Sequence, residues 1–447
     1  MRSDATAPRH HGTTAPYNQQ PATSNKQLET ILLFWLVLYS GALFAWDFPN
    51  ENRIYDPNIH TVLLHKDGFE MAMPVIAVNS GEQLKLSFDD LNVSLKTYRF
   101  TIRHCTAEWE TTTDLLVTDY IDGLQEEIIE QFDYSYNTTV EYIHYTAYFP
   151  SHYMKPGISG NYLLIVYQDD PEIPVFTRQF MVVQPTSVSI AARVVRSDAP
   201  LESYSKQQVD FTVSMPGFIW SNPSREIKIV IMQNERWDNV IRNPKPRFIR
   251  GDELDFTFDP TLTFNGGNEF RTLDIKSLRY QTENIRLIDW DGEYHVYMLD
   301  DMSRARKSYT LYQDINGRKL IRNEDYAENS EIEADYARVH FSIPSSSMIP
   351  GGKFYLMGAL ADYRMAPPNE MVYDPQSKRY TCSLFLKQGY YGYQYVFKPD
   401  GFPVGDVSFF EGNHWETENQ YTIFLYWRPL SGLYDQLVAV KDINSRD

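Results

Sequence analysis

The chain has 447 residues, enough for about three domains at roughly 150 residues each, every one large enough to bury its own core. Its 41 Lys and Arg face 59 Asp and Glu, a net charge of −18 that argues against a sequence-independent grip on nucleic acid phosphate and against anionic lipid head groups. Hydrophobic residues at 43% and charged residues at 22% exclude a disordered or polytopic chain, and the aromatic share of 15% favours pleated, half-buried β surfaces.

Residues Ile31 to Ala45 form an uncharged run, ILLFWLVLYSGALFA, too short for a comfortable span of about 20 residues and suited to a signal-peptide core. Gly41, Ala42 and Ala45 close it, so cleavage is expected after Ala45, although Leu43 at the minus-three position departs from the small-residue preference. Residues 1–45 then form a leader and signal peptide, with no membrane span left after cleavage. No second apolar run or basic stop-transfer cluster supports an uncleaved anchor. Only Cys105 and Cys382 occur, in segments assigned to different domains, which points to two buried thiols and no bridge.

From Thr61 to Val440 short strand-like runs follow one another. Leu84, Leu86 and Phe88 alternate with Lys85 and Ser87, and Ile227, Ile229 and Ile231 with Glu226 and Lys228, the period of a strand with one wet face. The runs 162–167, 180–183 and 421–427 are apolar on both faces, as central strands are. Turn signals separate the runs: Asn79-Ser80-Gly81, Pro156-Gly157, Asn265-Gly266-Gly267, Asn316-Gly317 and Pro350-Gly351-Gly352 among them. Thr272 to Arg279 is a weak helical candidate. The expected class is all-β, a tandem array of immunoglobulin-like β-sandwiches. Gln184-Pro185-Thr186 and the stretch IPSSSMIPGG at 343–352 set the expected boundaries: an N-terminal sandwich over 46–185, a middle one over 186–342 and a C-terminal one over 343–447.

Catalytic and metal motifs are missing. HExxH, a complete phosphate loop and a G-x-S-x-G elbow do not occur. His104 beside Cys105 is a single pair on a strand, read as core and surface neighbours. The acidic pairs Asp89-Asp90, Asp169-Asp170 and Asp300-Asp301 point to opposite faces of any strand and read as solvated loop acids. No catalytic residue, cofactor or metal ligand is expected. The strongest binding-like feature is aromatic: Tyr390, Tyr391, Tyr393, Tyr395 and Phe397, then Trp415, Tyr421, Tyr426 and Trp427. Exposed, these rings would stack on sugars or a partner; buried, they are one strand face and its neighbours.

Two blocks together resemble a known family. Ser87-Phe88-Asp89-Asp90-Leu91, YRFTIRHCTAEW at 98–109, Tyr120-Ile121-Asp122-Gly123, Ser135 to Thr139 and Ser159 to Leu164 resemble the first domain of the type IX secretion system plug proteins. Leu386-Lys387-Gln388-Gly389-Tyr390-Tyr391, the run EGNHWETENQY at 411–421, and Tyr426 to Pro429 resemble that family's C-terminal signature. The resemblance implies a non-enzymatic periplasmic protein at the inner face of the outer membrane. It would seal the periplasmic end of the empty giant β-barrel translocon, binding the empty channel and leaving when cargo engages. Partner-binding residues are not named by the motifs. The C-terminal block also looks like a glycogen-binding-type sandwich, which implies the rival reading: a carbohydrate-binding protein of the periplasm or cell surface, with Trp415 or Trp427 stacking on sugar rings.

Overall fold

The computed structural model describes residues 48–325 and 327–447, so the leader and signal-peptide reading over 1–45 lies outside the described residues. Period-2 sequence becomes strand throughout, and the architecture is all-β, built as successive sandwiches.

The first sandwich packs the sheet of Ile59–Lys66, Leu84–Asp90, Ile143–Phe149 and Gln131–Tyr134 on a sheet centred on Gly160–Tyr167, Phe176–Val183 and Arg99–Cys105. Its core holds Phe88 stacked on Tyr145 at 5.1 Å, with Tyr98 edge-on to both at 5.2 and 4.9 Å. Every residue of this core lies between Ile54 and Val182. The Gln184-Pro185-Thr186 segment leaves it and is pinned at once, Gln184 N–H donating to Leu437 O and Thr186 Oγ1 to Val438 O.

The second sandwich faces Ser189–Arg196, Lys206–Ser214, Glu253–Asp255 and Phe248–Arg250 against a sheet ordered Arg236–Arg242, Ile227–Gln233, Gln420–Trp427, Gln436–Asn444. The third is one long sheet wrapped about a single core. It runs from Arg271–Asp274 through Gly389–Pro399, Gly352–Met357, Glu370–Asp374, Arg379–Lys387, Tyr336–Pro344 and Tyr294–Met298 to Ile285–Trp290. The stretches 186–342 and 343–447 therefore exchange strands: each gives its outer part to the second sandwich and the part around residue 343 to the third, and Tyr336–Pro344 runs unbroken across residue 343.

The helical reading of Thr272 to Arg279 is corrected. Arg271–Asp274 is a strand paired with Tyr390–Tyr393, because Leu273 and Ile275, two apart, both reach the core. The tyrosine run behaves as one strand face: Tyr391, Tyr393, Tyr395 and Phe397 are buried in the third core while Tyr390 is half-buried. Among the described residues the α-helices are single turns such as Val117–Tyr120 and Ser330–Glu333. No helix among the described residues is long and apolar enough to cross a membrane.

Candidate functional site

The two signature blocks, some 300 residues apart in sequence, are folded onto each other. At the joint between the first and third sandwiches, Lys387 Nζ lies 2.6 Å from Asp89 Oδ2, with side chains only 1% and 0% exposed. The Asp89 carboxylate also accepts from Tyr336 OH (2.6 Å) and from His144 Nδ1–H (2.6 Å). Because Tyr336 spends its proton on Asp89, Thr61 Oγ1 donates to the Tyr336 oxygen at 2.6 Å. Lys387 further donates to Glu331 O and sits 4.1 Å from the centre of the Tyr142 ring, a cation held by a carboxylate, a carbonyl and a π face. Burial alone would raise the Asp89 carboxyl; the Lys387 charge and the hydrogen bonds from His144 and Lys387 outweigh it and hold the group below the usual carboxylate range. One residue before Tyr336, Asp335 accepts from Thr139 N–H (2.7 Å), Thr139 Oγ1 (2.6 Å) and Val140 N–H (3.1 Å) of the first sandwich, while Lys85 pairs with Glu331.

A second joint ties the first sandwich to the second. Asp435 accepts from Ala107 N–H and from Lys228 Nζ, each at 3.0 Å, and Lys228 also pairs with Glu108 at 2.9 Å. Tyr426 OH donates to Asn161 Oδ1 at 2.8 Å. Beside it His104 is fully enclosed: Nε2–H donates to Ser159 O (3.2 Å), so Nδ1 accepts from Thr112 Oγ1 (2.8 Å). Burial pushes His104 down to about 4, fixing it as the neutral imidazole. Gly160 is required here, since its φ of +143° and the 2.4 Å from a built Cβ to His104 Nε2 leave no room for a side chain.

The run 411–421 links the second and third sandwiches. Glu411, fully buried, takes a two-pronged contact from Arg271 and another from Arg304 Nε at 2.8 Å. Burial would raise it, but the Arg271 and Arg304 charges hold it low. A few residues on, Thr417 Oγ1 donates to Gly267 O, and Asn419 Nδ2 donates to Gln207 Oε1 and Gly266 O. These partners are missed by motif search because each half of a joint looks ordinary alone.

The reading of acidic pairs as solvated is corrected at two of three places. Asp89 and Asp90 are both fully buried, Asp90 paired with Lys96 at 2.8 Å and bound by Tyr98 OH at 2.9 Å. Asp300 is held by Arg379 and Ser342, and Asp301 by Arg271, Tyr393 and Tyr395. Asp169 and Asp170 are exposed as expected. His104 and Cys105, read as core and surface neighbours, are both buried, because each face of their strand is covered. Cys105 and Cys382 are free buried thiols, pushed up to about 12 by burial.

The indole nitrogens of Trp415, within the run 411–421, and of Trp427 contribute no hydrogen bond to these joints. Arg196 Cζ lies 3.8 Å from the Trp415 ring centre, covering one face. Trp427 packs edge-on to Phe218 at 5.0 Å against the second core. Among the described residues no group of three or more His, Cys, Asp or Glu is placed to hold a metal ion.

What the fold and joints define is a multi-sandwich scaffold whose signature polar residues are committed to fastening one sandwich to the next. The family described as type 9 secretion system plug protein 1st domain matches residues 59–184. The chain is also similar to a hypothetical protein from Parabacteroides merdae ATCC 43184 of known crystal structure. The two share 32% identity, with 89% of this chain and 100% of that one covered and a TM-score of 0.85. No curated protein matches. The chain belongs to the type 9 secretion system plug protein family, and its role is associated with that secretion system.

Proposed function

We propose that this protein is a non-enzymatic periplasmic plug that seals the periplasmic end of the empty type IX translocon, a giant outer-membrane β-barrel, from the inner face of that membrane. The observation that carries the reading is the set of buried, charge-locked joints occupied by the family's own signature residues. A stopper for an aqueous pore has to resist a load as one body and present an interface of more than about 1,000 Å². Flexibly tethered sandwiches would yield at their linkers, whereas Asp89–Lys387 between the first and third sandwiches and Glu108–Lys228 between the first and second oppose such yielding. Release then requires a channel state for which the plug has lower affinity.

The test is purification of the tagged protein from detergent-solubilised outer membrane. Co-recovery of a very large barrel protein supports the proposal; recovery only as a free soluble species under mild conditions contradicts it.

A further inference from the structure

We propose that a cavity between the second and third sandwiches is a binding site for a neutral, polyhydroxylated ligand of the saccharide class. The cavity, of about 220 Å³, is enclosed by the tight turn joining Ile227–Gln233 to Arg236–Arg242, the end of Thr263–Asn265, the middle of Gly389–Pro399 and residues 404–407. Its wall carries six carboxamides, Gln233, Asn234, Asn239, Asn265, Gln394 and Asn419, and not one carboxylate, on a chain of net charge −18. The two charged side chains on the wall are already neutralised: Lys206 pairs with Glu202 at 2.7 Å, and Arg236 grips Asp238 with Nε and Nη2 at 2.9 and 2.7 Å.

A carboxamide offers donors and acceptors together, which an inorganic cation or anion cannot use in full. A hydroxyl can, because it also does both. Part of this capacity holds the site in shape: Asn234 Nδ2 donates to Asn419 Oδ1 at 2.7 Å, Asn239 Nδ2 to Gln233 Oε1 at 3.1 Å and Gln394 Nε2 to Asn268 O at 2.6 Å. The remainder is unspent. Asn239 Oδ1 is buried without a donor, and neither Gln394 Oε1 nor Arg236 Nη1 has a protein partner. Two acceptors and a fixed guanidinium donor, locked by their neighbours, form a preorganised set for a ring bearing adjacent hydroxyls, and a preorganised site loses little entropy on binding. Phe264 supplies an apolar wall. The tryptophans of the sequence-based rival, Trp415 and Trp427, are not among the lining residues.

This inference does not rest on the plug proposal. It is tested by saturation-transfer NMR and titration calorimetry on the full chain with glucose, galactose, mannose and N-acetylglucosamine, and with acetate and inorganic phosphate as anionic probes. At least one saccharide is expected to bind at millimolar concentration, with neither anion competing. Asn239→Leu and, independently, Gln394→Leu should weaken it by about tenfold with the thermal unfolding curve retained, while Trp415→Ala leaves it unchanged. If one variant fails to fold, the other and the milder Asn239→Ser carry the comparison. Absence of any saccharide signal, competition by the anions, or equal affinity in the folded variants overturns the assignment.

Discussion

Lys387 Nζ and Asp89 Oδ2, 298 positions apart in sequence, meet at 2.6 Å with water excluded from both side chains. A buried pair of this kind adds little net stability over a well-packed apolar substitute, yet removing one member strands the other. Lys387→Met should therefore cost about 3–5 kcal/mol, read as a lower urea midpoint. Asp89→Asn combined with Lys387→Met should recover a large part of that loss, since no uncompensated charge remains. Equal loss in the single and double variants would show that the joint does not work as a pair.

His104 makes acid stability directional. Its ordinary value near 6.5 falls to about 4 in the folded chain, so between these limits the unfolded state binds the extra proton. Its contribution is present above about pH 6.5 and lost as pH falls toward 4, in total about 3 kcal/mol. Glu269 runs the other way. Burial raises it from 4.5 to about 7, so its contribution is full below pH 4.5 and lost as pH rises through 7. Unfolding followed from pH 4 to 8 should show a shallower acid limb in His104→Gln and a shallower loss above pH 5 in Glu269→Gln.

Gly160→Ala should be among the most damaging small substitutions, by about 3 kcal/mol, because a left-handed backbone and a 2.4 Å approach to His104 are imposed together. Thermal unfolding against Gly157→Ala, where a built Cβ has nothing nearer than 3.9 Å, isolates the effect. Comparable losses in the two variants would remove the steric argument.

Both thiols should be silent in the native state. Burial pushes Cys105 and Cys382 up to about 12, so the reactive thiolate is scarce and shielded. Titration with an aromatic disulfide should detect none at neutral pH and two after denaturation, with no effect of reductant on the unfolding midpoint.

Alternation was readable without coordinates: Leu84, Leu86 and Phe88, or Tyr391, Tyr393 and Tyr395, announce strands and the faces they bury. What escaped is non-local. Asp89 and Asp90 point to opposite faces, as adjacency on a strand requires, but the third sandwich covers one face and the first core the other, so both acids are enclosed. The exchange of strands between the stretches 186–342 and 343–447 depends on which edge Gln420–Trp427 finds, and its pairing with Ile227–Gln233 is set across nearly 200 residues. The signature residues could be recognised singly, but their meaning as joints appears only when Lys387 is seen against Asp89.

The central claim is a seal on a wide channel, so the most direct measurement is entry of a large, normally excluded solute into the periplasm of cells with and without the gene. Deletion should raise permeability, and re-expression of the wild-type chain should restore the barrier while a joint-broken Lys387→Met chain restores it less. Unchanged exclusion of the solute in the deletion strain, with the barrel still present, would contradict the account.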